Sequence, residues 1–197
     1  MRRRSPARST DPYPSMDIEK LQQVASLIAQ RNVIDTEIAA ITGRPVVAGH
    51  LGEWIAAEVF DVDLEASAVA KAIDGRFTTG PLAGCSVNIK WYGKREGMLD
   101  VTEDPSLGCY LVLTGPRGTV ASSRGTTRPM LIDAVYLFDA HALLDTLRTR
   151  GVKIGVATSV IASLWDAAEL FPEQRNFTIP LSREQRAALD LFSTSGT

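Results

Sequence analysis

Cysteine and histidine are scarce in this chain, with two of each among 197 residues. Cys85 and Cys109 have no C-x-x-C partner, which argues against paired-thiol zinc and redox motifs and predicts buried free thiols. His50 and His141 lack the spacing of a histidine metal site and are expected to serve structure. No apolar run reaches the roughly 18 to 20 residues needed to cross a bilayer, and Met1-Arg2-Arg3-Arg4 leads into polar residues instead of an apolar signal core. A cytoplasmic protein with no membrane association is expected. An excess of charge of one sign is also missing: 21 Lys and Arg against 23 Asp and Glu leave a formal charge of −2. That balance argues against a surface coated generally in nucleic acid, because phosphate binding relies on clustered cations.

What is present suits one globular domain: 45% apolar and 22% charged residues are ordinary values for a chain able to bury a full core. Residues 1–15 combine arginines with Pro6, Pro12 and Pro14 and read as a disordered tail. A single domain over 16–192 and a short tail over 193–197 follow. Apolar residues Ile18, Leu21, Val24, Ala25 and Ile28 recur at helical spacing and predict a helix over 16–31. A second over 35–42 is stopped by Gly43 and Arg44-Pro45, and a third covers 50–60. Short β-rich runs at 72–77, 86–92, 109–114 and 134–138 predict four strands. A helix over 140–150, a fifth strand over 152–158, a helix over 161–170 and a last helix over 182–192 complete the order. Ser182 and Gln185 form the capping-box pattern of that last helix. The expected fold is mixed α/β, a central mixed sheet of about five strands flanked by helices.

The chemistry concentrates in the middle of the chain. Hydrolysis of a phosphodiester needs a hard cation to polarise phosphate and activate water, and Mg²⁺ takes oxygen ligands. Asp74 offers one. Strand alternation puts Asn88 and Lys90 on one face with Ile89 opposite. The Asn88 amide oxygen can coordinate a cation, though more weakly than a carboxylate, and Lys90 can stabilise phosphate charge. Local cationic patches add to this. Arg76, Lys90, Lys94 and Arg95 meet only Glu96 between positions 76 and 99, and Arg117, Arg124 and Arg128 meet no acid between 114 and 132. Trp91 and Tyr92 offer rings for base stacking.

Asp74, then Asn88-Ile89-Lys90, with Glu53 on the preceding helix, resembles the PD-(D/E)XK, or restriction-endonuclease-like, superfamily. The stretch over 49–101, with LGEWIA, the Asp74-Gly75 pair and VNIKWYGKREGMLD, is similar to an uncharacterised bacterial family within it. The resemblance implies a restriction-endonuclease-like core. It also implies a metal-dependent nuclease acting on DNA, with Asp74, Asn88 and Glu53 around Mg²⁺ or Mn²⁺ and Lys90 as the catalytic lysine. DNA contacts are then expected from Lys94, Arg95, Arg117, Arg124, Arg128, Trp91 and Tyr92, and a homodimer is compatible with the class. Two positions depart from the motif: Ile73 stands where the motif has proline, and Asn88 fills the acid slot. Asp100 is a candidate replacement carboxylate.

Plainer readings stand beside these. Asp74-Gly75 also suits a turn, Lys90 an edge-strand lysine, Glu53 a first-turn helix acid, and Trp91-Tyr92 one core and one surface aromatic. Thr158 and Ser159, at an expected strand-to-helix junction, suit either a phosphate contact or a helix cap. Two alternatives to a nuclease follow: an inactive endonuclease-like module for nucleic-acid binding or assembly, and a regulator using residues 35–60 as a helix-turn-helix.

Overall fold

The computed structural model describes residues 17–65, 72–118 and 129–194. These fall into two compact units, Met1–Gly43 and Arg44–Thr197. In the first unit, α1 (Ile18–Thr42) is one continuous helix, where the periodicity predicts two. Its ends carry clear signals. The Asp17 carboxylate accepts from the Lys20 N–H at 3.1 Å, and Gly43 adopts the left-handed conformation at φ 66°. Between Arg31 and Asp35 there is no glycine or proline. Asn32, Val33 and Ile34 are weak helix formers, but each costs only a few tenths of a kcal/mol relative to good ones, less than nucleating a second helix. The Arg31–Asp35 ion pair and the Thr36 hydroxyl bonded to the Asn32 carbonyl reinforce the turn. The continuity removes only the break expected at 32–34; residues 43–47, the linker in the helix-turn-helix reading of 35–60, remain non-helical.

The second unit is a mixed sheet between two helical layers. Its elements, in chain order, are α2 (Ala48–Phe60), β1 (Val62–Leu64), β2 (Gly75–Phe77), β3 (Ser86–Tyr92), β4 (Met98–Leu99), β5 (Cys109–Thr114), β6 (Ala134–Asp139), α3 (Ala140–Thr149), β7 (Thr158–Ser159), α4 (Ala162–Ala168), β8 (Glu169–Phe171) and α5 (Arg183–Asp190). Among the described residues six strands form the main sheet in the order β1-β2-β3-β5-β6-β8, one more than expected, and β4 pairs with β7 in a separate ribbon. All neighbours in the main sheet are antiparallel except β3 and β5, which run parallel with Asn88 opposite Tyr110 and Lys90 opposite Val112.

Strand alternation divides the core. Val87, Ile89, Leu111, Leu113, Val135 and Leu137 pack under Ile55, Ala56, Val59 and Phe60 of α2, with Leu189 of α5 in the same cluster. Tyr110, Val112, Tyr136 and Phe138 face the other way, against Leu143, Leu144 and Leu147 of α3 and Trp165 of α4. Gly52 lets α2 approach β3 closely, since a Cβ there would lie 2.9 Å from the Trp91 Cβ.

Two expectations are corrected. The run 152–158 is not a strand. Gly155 at φ 148° and Ala157 at φ 56° interrupt it, and only Thr158–Ser159 pairs, with β4. The expected helix over 161–170 stops at Ala168, and Glu169-Leu170-Phe171 form the edge strand β8. Phe171 precedes Pro172, and a residue in that position is biased toward extended backbone.

Candidate functional site

Asp74 sits one residue before β2, and its backbone N–H bonds the Val87 carbonyl at 2.9 Å. Its carboxylate accepts from the Ile89 N–H at 2.6 Å, in place of a ladder carbonyl. The acid is thereby fixed beside the backbone that carries Asn88 and Lys90. Asn88 is buried, and its amide nitrogen donates to the Ala72 carbonyl at 2.9 Å. That bond orients the amide, because the nitrogen must face Ala72. Its oxygen Oδ1 is then buried with no hydrogen-bond partner among the described residues. A buried, unpaired amide oxygen costs roughly 1–3 kcal/mol, which a bound donor or cation would recover. Lys90 is half-buried and has no acidic or hydrogen-bonding partner among the described residues.

Glu53 is arranged differently. It lies on α2, which covers the Val87 and Ile89 side of β3, whereas Asn88 and Lys90 belong to the alternate face. Its carboxylate accepts from the Arg44 guanidinium at 2.6 Å, a part-buried ion pair. The structure therefore brings Asp74, Asn88 and Lys90 to one strand pair and gives Glu53 a cation of its own. Among the described residues no group of three or more His, Cys, Asp or Glu side chains is placed to hold a metal ion. The donor chemistry that remains, one carboxylate and one amide oxygen, fits a cation that keeps most of its water, as Mg²⁺ commonly does.

The other sequence-derived residues divide between structural contacts and a separate cluster. Trp91 donates its indole N–H to the Leu131 carbonyl at 3.0 Å, and the Tyr92 hydroxyl accepts from the Asp100 N–H at 3.0 Å. Both rings are tied into the fold. Asp100 itself accepts from the Ala157 N–H at 2.7 Å and holds the 155–158 loop. Thr158 closes the same loop, its hydroxyl donating to the Gly155 carbonyl at 2.7 Å. Lys94 is half-buried. Arg124 and Arg128 lie outside the described residues.

Arg95 and Arg117 enter a charged cluster at the β8 edge. Arg95 lies 5.6 Å from the ring centres of both Tyr136 and Trp165 and donates to the Tyr136 hydroxyl at 3.2 Å. Arg117 donates to Asp166 at 3.1 Å and lies 3.6 Å from Glu169. Arg175 stands 3.9 Å from Asp166 and 4.0 Å from Glu169. Glu169 is only 3% exposed. Its Oε1 accepts from the Glu173 N–H at 3.4 Å, while Oε2 has arginine charge nearby but no hydrogen bond among the described residues. Its charge is compensated, whereas the Oε2 lone pairs are not satisfied among the described residues. Sequence reasoning missed Asp166 and Arg175 because their partners, Arg95 and Arg117, lie about fifty to eighty residues earlier, beyond the reach of any periodicity. The i, i+3 spacing of Asp166 and Glu169 was the one local signal available.

No protein-family model matches this chain, and no curated protein sequence matches it either.

Proposed function

We propose that this chain is a metal-dependent nuclease of the restriction-endonuclease-like class that hydrolyses DNA phosphodiester bonds, in keeping with a restriction or defence role. The observation that carries the reading is the buried Asn88 oxygen, without a partner among the described residues, on the strand whose Ile89 N–H fixes the Asp74 carboxylate. Asp74 and Asn88 would hold the divalent cation, Mg²⁺ or Mn²⁺. Such an ion, when bound, polarises a phosphoryl oxygen and acidifies water. Lys90, without an acidic partner among the described residues, supplies positive charge where a phosphate gains negative charge in the transition state. Arg117, more than half exposed, provides a cation for the flanking backbone.

Incubating the purified chain with plasmid, linear and single-stranded DNA in Mg²⁺ or Mn²⁺ tests this. Wild type is expected to cut at least one substrate, and an Asp74→Ala, Lys90→Ala double variant to lose about 10²-fold or more of the rate. Equal rates for the two proteins would remove the hydrolytic reading.

A second reading, an inactive endonuclease-like module used in nucleic-acid binding or assembly, draws on the Glu53–Arg44 pair, which commits the helix glutamate elsewhere. Asn88→Asp separates the two. Calorimetric Mg²⁺ or Mn²⁺ binding in wild type supports the nuclease, and binding gained only in the variant supports the inactive module.

A further inference from the structure

The arginine cluster at the β8 edge has more donors than its own carboxylates satisfy. Each guanidinium carries five N–H donors in a planar fork. Three of them approach a single oxygen, Asp166 Oδ1, at 3.1 Å for Arg117, 3.6 Å for Arg95 and 3.9 Å for Arg175. Only the first contact is a hydrogen bond. Arg95 has one more, to Tyr136, and the Arg175 guanidinium reaches no acceptor at hydrogen-bond distance among the described residues. Like charges at this separation repel, and Asp166 and Glu169 are the anions that hold them together.

The three arginines are not equivalent. The Arg95 side chain is only 10% exposed and lies against the Tyr136 and Trp165 rings, which leaves it little freedom to move. Arg117 and Arg175 are more than half exposed and flank a cavity of about 290 Å³ that Gly115 and Tyr136 also line. Three carboxylates border that cavity. Asp133 is engaged by the Thr194 N–H and hydroxyl, Glu169 is ion-paired to the arginines, and Glu173 is exposed and able to turn outward. Asp166, on the short helix α4, is about one-third exposed, so its carboxylate can also leave the cluster.

We propose that Arg117 and Arg175, backed by Arg95, bind a phosphoryl group, and that Asp166 occupies the position of that anion until it arrives. A phosphate brings several acceptors in the planar, paired arrangement that guanidinium forks match, whereas a single aspartate oxygen serves one donor well. The site is separate from the hydrolytic one. Lys90, Val112, Tyr136 and Glu169 lie in one transverse row of the sheet, which sets Glu169 three strands from Lys90, roughly 14 Å. The inference therefore holds whether or not Asp74 and Asn88 bind a metal.

The test uses the full chain without divalent metal, titrated with inorganic phosphate and, separately, with a single-stranded oligonucleotide lacking terminal phosphates. Arginine Nε–Hε resonances report binding in the folded wild type. Phosphate is expected to shift the Arg117 and Arg175 signals saturably. Arg175→Gln is expected to weaken binding about tenfold, and Asp166→Asn to strengthen it by removing the internal competitor. Oligonucleotide binding with the same response to both variants identifies a backbone phosphate as the ligand. Phosphate binding without oligonucleotide binding identifies a free phosphate or monoester. Asp74→Ala is expected to leave binding unchanged, which keeps this result apart from any loss of cleavage. No saturable shift with either ligand overturns the assignment, as does binding that Asp166→Asn weakens or Arg175→Gln leaves intact.

Discussion

Cys109 and Tyr92 keep their protons for the same reason. Burial penalises the thiolate and the phenolate, and raises both groups above their ordinary pKa. The neighbouring Cys85, with its sulfur 3.9 Å away, adds to the effect at Cys109. A group whose folded-state pKa lies above its unfolded value contributes stability below the unfolded pKa and loses it as pH rises toward the folded one. The window therefore opens near 8.5 for the thiol and near 10 for the phenol. The urea midpoint of the wild type is expected to fall between about pH 8.5 and 10.5, and that of Cys109→Ala to fall less over the same range. Parallel midpoint curves for the two proteins would show that the thiol contributes nothing. The scarcity of cysteine and the missing C-x-x-C spacing already predicted free thiols, and both cysteines are free, Cys109 buried and Cys85 partly so. Asn88 was legible as a polar residue beside an acid. Its unpaired oxygen was not, because that depends on the Ala72 carbonyl arriving from another part of the chain.

At the scale of elements, α5 shows how a local signal and a distant contact combine. Ser182 accepts from the Gln185 N–H at 3.1 Å, and the Gln185 side chain returns to the Ser182 N–H at 2.9 Å. The same Gln185 also donates to the Val59 carbonyl at 2.7 Å, which joins α5 to the last turn of α2. Ser182→Ala is expected to lower unfolding stability by about 1 kcal/mol. Gln185→Ala should cost more, because the Val59 carbonyl also loses its donor. Urea denaturation of the two variants checks the order, and a smaller loss in Gln185→Ala would show that the contact to Val59 contributes nothing. The capping box was readable in the sequence because it spans four residues. The strands β3 and β5 were readable as well, since both are runs of apolar and β-branched residues between clear turn signals. The 152–158 run carried the same apolar signal and failed as a strand, because backbone angles at Gly155 and Ala157 decide its path. The unbroken α1 was missed for the converse reason, that weak helix formers slow a helix without ending it.

For the whole molecule, the division into two units has a measurable consequence. No residue of α1 is buried, whereas Arg44–Thr197 contains both core clusters. A chain starting at Arg44 is expected to unfold cooperatively with a thermal midpoint within about 4 °C of the full chain, the shift that roughly 1 kcal/mol would cause in a domain of this size. Loss of a cooperative transition would show that the first unit contributes to the core. No helix of the described residues is long and apolar enough to cross a membrane, as the hydropathy of the sequence predicts.

The sequence by itself determined the mixed α/β class, most of the helices, the two long central strands and the placement of Asn88 and Lys90 on one face of a strand. These follow from periodicity, turn chemistry and caps, all of which act over a few residues. Only the tertiary structure decided that β3 and β5 run parallel, that Arg44 takes the Glu53 carboxylate, and that three arginines meet at Asp166 and two of them reach Glu169 at the sheet edge. Those outcomes depend on which distant segments pack together. Packing is set by the total apolar surface buried and the charges it must satisfy, not by any local pattern.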